Sequence, residues 1–367
     1  MRELLDGRKV LVCCGSGGVG KTTTSAALGV LAAREGRNAI VITIDPAKRL
    51  ATALGLETLG GDPTDITAIV NRALGAQGLP PASGKLAAIM PDSEKTFENF
   101  IRSMAGTNEG LAKRLFKTSI YKIFAQEFSG TNEYLAMEKL FDLYNSGRYD
   151  LVILDTPPSA NTLTFLDAPK RLAEFFDDRI IRWFVEPGSR LLAAGVRKAL
   201  EILERITGRG FIAEMLDFVS GLFELRAQFI ENLRQVARLL RQDDVAFLMV
   251  TSPERLRKED TQAFVRKLRE DAYPFWGFVV NRVLSRAIGA TKWAAEWDSE
   301  LASQGFDAKQ IETLRMNFRE LQPQLQHEAD ASEYLKNFSG TRVALVAERS
   351  SDVHSVSALV GIADELA

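Results

Sequence analysis

Gly15-Ser16-Gly17-Gly18-Val19-Gly20-Lys21-Thr22 follows an apolar run, residues 9–14, and precedes a helical pattern, residues 23–35. In that pattern Ala26, Ala27, Val30, Leu31 and Ala33 recur on a helical period, and Gly36 ends it. A glycine-rich turn between a buried strand and a helix, closing on Lys-Thr, reads as a phosphate-binding loop. The residue types supply the chemistry. Glycines let backbone N–H groups turn inward around an anion, and the helix start adds partial positive charge. Lys21 reaches the outer phosphates, and the Thr22 hydroxyl can bind Mg2+. With glycine at about 7% of residues generally, a chance match to the four fixed positions comes to roughly one in a hundred. An ordinary glycine-rich turn is the weaker reading.

The 367 residues, 46% hydrophobic and 26% charged, suffice for one large α/β core with an appended subdomain, or for two domains. The 46 basic and 48 acidic side chains leave a formal charge of -2. A nucleic-acid partner calls for a concentrated basic excess, so none is expected. No apolar stretch reaches the ~18 residues of a membrane span, and residues 1–9 carry charges where a signal peptide has its hydrophobic segment. Both features predict a cytoplasmic protein with no integral membrane segment. Cys13 and Cys14, the only cysteines, are neighbours in the first strand, where side chains alternate between faces and a disulfide is geometrically disfavoured. They read as small core residues. His327 and His354 lie far apart without a companion cysteine, so no zinc site is expected.

Apolar runs of strand length recur at residues 9–14, 39–44, 151–154, 245–250, 277–280 and 343–346, with helical patterns between them. That order predicts an α/β fold built on a doubly wound, mostly parallel sheet. Functional loops in such sheets lie past the carboxyl ends of strands. Those positions hold the phosphate loop, Asp45-Pro46-Ala47, Asp155-Thr156-Pro157-Pro158, Ser252-Pro253-Glu254 and Asn281. Three long intervals read as helical: residues 62–148 from about Ser93 onward, 169–243, and 288–337. The expected organisation is a nucleotide core over 1–92, 149–168 and 244–367, with helical insertions at 93–148 and 169–243 and a third, 288–337, inside the last core segment.

Within the second interval Phe211, Met215, Phe218, Leu222, Leu225, Phe229, Leu233, Val236 and Leu240 form an apolar seam on four-and-three spacing. Ile212, Leu216, Val219, Phe223 and Ile230 widen its first half. Helix packing inside an all-helical lobe is the favoured account, and an exposed client-binding surface or dimer seam is the alternative.

Asp45 follows the second strand and can orient an attacking water on the γ-phosphate side of the loop. Capping of the next helix, with Pro46 at its first position, is the competing role. Asp155 closes the apolar run 151–154, where a carboxylate that holds Mg2+ directly or through water is expected, with Thr156-Pro157-Pro158 as a γ-phosphate sensor. Asn281 ends the strand at 277–280. Its amide both donates and accepts, which suits adenine, although such an Asn alone is more often a turn residue.

Together these residues resemble the ArsA/Get family of P-loop ATPases with a deviant phosphate loop, which includes arsenite-pump ATPases and the targeting factor for tail-anchored membrane proteins. The resemblance runs through the loop, Asp45-Pro46-Ala47, the stretch from Asp155 to Leu163, and Val279-Val280-Asn281-Arg282. It implies ATP and ADP as ligands with Mg2+, and catalytic roles for Lys21 and Asp45, the latter positioning water. Gly15, Ser16, Gly17, Gly18, Val19, Gly20, Lys21, Thr22 and Thr23 would contact nucleotide. Asn281 would read adenine, Glu254 would meet nucleotide across a dimer interface, and Thr22, Asp45 and Asp155 would serve the metal. Family dimers close on ATP and open after hydrolysis.

Three departures stand out. Ser16 occupies the place of the family's signature lysine, so closure would be weaker, would rely on an arginine, or would draw on a paralogous partner that supplies the lysine. The paired Cys-x-x-Cys of zinc-clamped dimers is missing, so no zinc bridge is expected. No cysteine thiolates are available for arsenite, and oxygen ligands replace them poorly. The single phosphate loop implies a second subunit. The leading reading is therefore a Mg2+-dependent dimeric ATPase switch, homodimeric or paired with a paralogue, handling a hydrophobic protein client or another partner. Alternatives are an energising subunit of an anion or metalloid transporter, a nucleotide-holding module without turnover, or a positioning ATPase of the MinD/ParA kind. Against the last, residues 353–367 contain no Lys or Arg.

Overall fold

The structure is a computed structural model that describes residues 1–44, 49–118, 120–121, 131–156, 167, 210–338, 340–350 and 352–367. Its centre is an eight-stranded sheet in the order β3-β4-β2-β5-β1-β6-β7-β8. The strands are β1 (Val10–Cys14), β2 (Asn38–Thr43), β3 (Thr64–Asp65), β4 (Lys85–Ile89), β5 (Leu151–Asp155), β6 (Val245–Thr251), β7 (Phe275–Val283) and β8 (Arg342–Ala347). All pairs are parallel except β3 with β4. The six expected strands are present within one to three residues of their sequence bounds, β7 running longest past its expected end, to Val283.

Two strands escaped the sequence reading. β4 is Lys-Leu-Ala-Ala-Ile, whose alanines dilute the β signal, and β3 is only two residues long in a turn-rich stretch. The helix Thr67–Ala76 in that stretch was also not anticipated.

β1 lies between β5 and β6, so the chain winds to one side of it through β2 and to the other through β6. The strand order reverses at β1, and ligand crevices form past the carboxyl ends at such a switch point. Each β1 residue is buried, as a central parallel strand covered on both faces requires. Leu11 and Cys13 join one apolar layer, beneath helices Lys21–Arg34 and Val356–Leu366. Val10, Val12 and Cys14 join the other, with the helices Thr131–Asn145 and Lys258–Glu270. The two cysteines thus face opposite layers. Burial pushes the Cys13 thiol up to about 12 and raises that of Cys14 as well.

A third apolar cluster stands apart from the sheet. Helices Ser93–Ala105 and Glu109–Lys117 supply Phe97, Phe100, Ile101 and Leu115, and helix Phe211–Leu239 supplies Phe218, Leu222, Leu225, Phe229 and Leu233. Phe100 meets Phe229 edge to face at 5.3 Å, and Arg114 pairs with Asp217 and Glu224 at 3.4 and 2.6 Å. Farther along the same helix, Val236, Leu239 and Leu240 enter the sheet's layer. From Phe218 to Leu240 the four-and-three seam is thus covered by helix packing, while Phe211 and Met215 at its start are half-buried. The interval after β7 forms Leu284–Ile288, Ala295–Ser303 and Ala308–Lys336, the last opened by an Asp307/Gln310 capping box. No helix among the described residues is long and apolar enough to cross a membrane.

Candidate nucleotide site

The loop after β1 is shaped by backbone that only glycine tolerates. Gly15 has φ 151°, and a Cβ there would lie 2.1 Å from the Val250 carbonyl oxygen on neighbouring β6. Gly20 has φ 93° and caps helix Lys21–Arg34. A Cβ at this position would sit 2.1 Å from Asn281 Nδ2. With glycine as the cap, the first-turn N–H groups of that helix have no side-chain acceptor, and the helix start presents its positive dipole end to the loop.

Lys21 is buried, and its Nζ donates to the Ser16 carbonyl at 2.9 Å, folding the ammonium over the loop. Thr22 Oγ1 donates to Asp155 Oδ2 at 2.7 Å. Thr43 Oγ1 donates to the same oxygen at 3.0 Å, since β2 and β5 pair in a register that sets Thr43 beside Asp155. Thr156 Oγ1 donates to the Cys13 carbonyl at 2.8 Å, tying the chain beyond β5 to the end of β1. Asp155 is only 1% exposed, so its carboxylate meets this cluster rather than bulk water.

The loop opens onto a cleft of about 370 Å3. Gly18, Gly20, Lys21, Thr22, Thr23 and Thr156 line it from the expected side. Asn281 lies beneath the loop, where its Nδ2 donates to the Val19 carbonyl at 3.0 Å. Glu254 is exposed on the short turn Pro253–Arg255, whose Pro253 is buried, and lies outside the cleft lining. Asp45, Pro46 and Ala47 lie outside the described residues, as do the residues from Pro157 to Leu163.

Sequence reasoning assigned no role to Arg49, Thr52, Arg282 or His354, which also line the cleft. Arg282 adopts φ 60°, a left-handed backbone that costs a non-glycine residue about 1–2 kcal/mol, at a register break between β7 and β8. Its adjacency to Asn281 was a usable signal. His354 gave none, because it reaches the cleft only through the position of β8 beside β7.

A model of the anion-transporting ATPase family matches residues 8–343. The chain belongs to this family. Among curated relatives, "ATPase ASNA1 homolog 1" of Paramecium tetraurelia is 25% identical over 287 residues, 74% of this chain and 73% of the relative. "ATPase GET3" of Lachancea thermotolerans is 24% identical over 298 residues, 77% and 75% of the two chains. "Putative arsenical pump-driving ATPase 1" of Aquifex aeolicus is 26% identical over 263 residues, 70% of this chain and 59% of that one. The resemblance drawn from the loop and strand-end motifs is thus borne out. As a member of the anion-transporting ATPases, the chain is an ATP-hydrolysing enzyme with a P-loop α/β fold.

Proposed function

We propose that the chain is a Mg2+-dependent ATPase that works as a dimeric switch for a hydrophobic protein client or a comparable partner. The observation that carries the metal assignment is the bond from the Thr22 hydroxyl to the Asp155 carboxylate, which joins the phosphate loop to the end of β5. The donor set suits a hard cation, with a carboxylate and two hydroxyls converging where the outer phosphates would lie. Thr22 and Asp155 are the residues that would hold Mg2+, which when bound offsets the phosphate charge. The loop N–H groups and the Lys21 ammonium bind and orient the phosphates, and Asp45 aligns the water for attack. Burial of Asp155 and Thr43 keeps bulk water from competing for these contacts.

The dimer reading rests on the exposure of Glu254 and on Ser16, which leaves the loop without a second lysine of its own. ATP would favour the closed pair through its differential affinity, and hydrolysis would withdraw that bias. The thiols argue for a protein client over a metalloid, since both are buried, held in the protonated form and turned to opposite layers of the sheet.

Calorimetry with Mg-ATP, paired with scattering in ATP and ADP, tests the reading. Binding that vanishes in Lys21→Ala, together with ATP-dependent association, is expected. Heat unchanged in Lys21→Ala would refute the site, and identical scattering in both nucleotides would refute the switch.

A further inference from the structure

A second cleft, of about 470 Å3, lies among helices Leu284–Ile288, Ala295–Ser303 and Ala308–Lys336 and shares no residue with the nucleotide cleft. Its volume falls in the range of small-molecule sites, about 300–1,000 Å3. Three aromatic rings build the wall. Trp293, Trp297 and Phe318 pack edge to face, with centroid separations of 5.2, 5.8 and 5.6 Å. Leu301, Leu314 and Leu321 extend the apolar lining.

Hydrogen bonds fix this wall in place. Trp293 Nε1 donates to Asp298 Oδ1 at 3.0 Å, and Arg315 donates to Asp298 Oδ2 at 2.5 Å. The charge of Asp298 is therefore already matched. Glu300 is the one charged residue on the lining, and its carboxylate has no hydrogen bond or ion pair among the described residues. The surrounding apolar surface is uncovered. Helix Ala295–Ser303 has no buried residue, and Phe306, Leu314 and Met316, the large hydrophobic side chains exposed among the described residues, all fall in this hairpin.

The chemistry selects the occupant. Arg315 already lies over the Trp293 ring at 5.9 Å, so the rings left to a ligand are Trp297 and Phe318; these rings and the exposed carboxylate of Glu300 disfavour an anion, and a neutral body gains nothing from Glu300. An organic cation satisfies both features, through cation–π attraction and a charge-assisted contact. We propose that this cleft binds a small alkyl- or aryl-ammonium ion, its apolar body against Trp297 and Phe318 and its charge toward Glu300.

The test is titration of the full chain with benzylammonium, benzyl alcohol and benzenesulfonate, followed by tryptophan fluorescence and calorimetry. The cation is expected to bind saturably and at least tenfold more tightly than the other two. Glu300→Gln should weaken it about tenfold, and Leu314→Lys, at an exposed position, should abolish binding while the melting curve stays that of the parent. Equal binding of the three probes, no saturable binding of the cation, or undiminished affinity in Glu300→Gln would each overturn the assignment.

Discussion

Thr22 and Asp155, 133 positions apart in sequence, meet in a 2.7 Å hydrogen bond between the phosphate loop and the end of β5. Thr43 donates to the same carboxylate oxygen at 3.0 Å, so the first turn of helix Lys21–Arg34 and the end of β2 converge on the anion that ends β5. Removing that anion while keeping its shape isolates its role. Asp155→Asn is expected to raise the Mg2+ concentration needed for half-maximal ATP turnover about 10–100-fold. An unchanged Mg2+ requirement would place the metal elsewhere.

Gly20→Ala combines a left-handed φ with a Cβ 2.1 Å from Asn281 Nδ2. The backbone term alone costs about 1–3 kcal/mol, and the contact forces the Asn281 amide off the Val19 carbonyl. Both a lower denaturant midpoint and weaker ATP binding should follow. An alanine variant that melts and binds like the parent would contradict the loop geometry.

The bond from Asn281 to the Val19 carbonyl gives this residue a role in holding the loop, separate from reading adenine. If holding dominates, Asn281→Ala weakens ATP and GTP by similar factors. If base reading dominates, ATP falls while GTP stays put. Parallel titrations with the two nucleotides separate the roles, and the structure favours the parallel loss.

Glu328, buried on helix Ala308–Lys336, accepts from the backbone N–H groups of Leu284 and Ser285 at 2.8 Å each, directly after Asn281-Arg282-Val283. One residue earlier, His327 Nε2 contacts the Pro253 carbonyl at 3.0 Å. Glu328→Ala leaves two donors unsatisfied and should cost about 2–3 kcal/mol by chemical denaturation. A loss below a few tenths would show that water replaces the carboxylate without penalty.

The Cys13 thiol is raised to about 12 by burial, against about 8.5 in an unfolded chain. Between those values the folded state keeps a proton that the unfolded state releases. Its contribution to stability is thus complete below pH 8.5 and declines as pH rises toward 12. Stability measured from pH 8 to 10 should fall, and Cys13→Ser should flatten part of that slope. Maleimide should label neither cysteine at pH 8 until the chain unfolds.

Much of this molecule was legible in one dimension. Strands β1, β2, β5, β6, β7 and β8 announced themselves as apolar runs, because a parallel strand covered on both faces cannot afford polar alternation. The phosphate loop was legible for a different reason: its geometry demands glycines and Lys-Thr at contiguous positions, so the whole device is local. β4 and β3 were not legible. A strand of Lys-Leu-Ala-Ala-Ile gains its stability from β2 beside it, and a two-residue strand exists only through its partner.

Tertiary structure alone decided the rest. That Thr43 shares Asp155 with Thr22 depends on the register of β2 against β5, and that Arg49, Arg282 and His354 border one cleft depends on the strand order. The aromatic cleft likewise needs Trp297 and Phe318, on two separate helices, brought together with Trp293 in the segment before the first of them. Sequence determined those features whose physics acts between neighbours in the chain: hydrophobic period, glycine backbone and helix capping. Contacts between side chains on separate elements wait for the sheet order and register, because the pairing of those elements is set by the packing of the whole core.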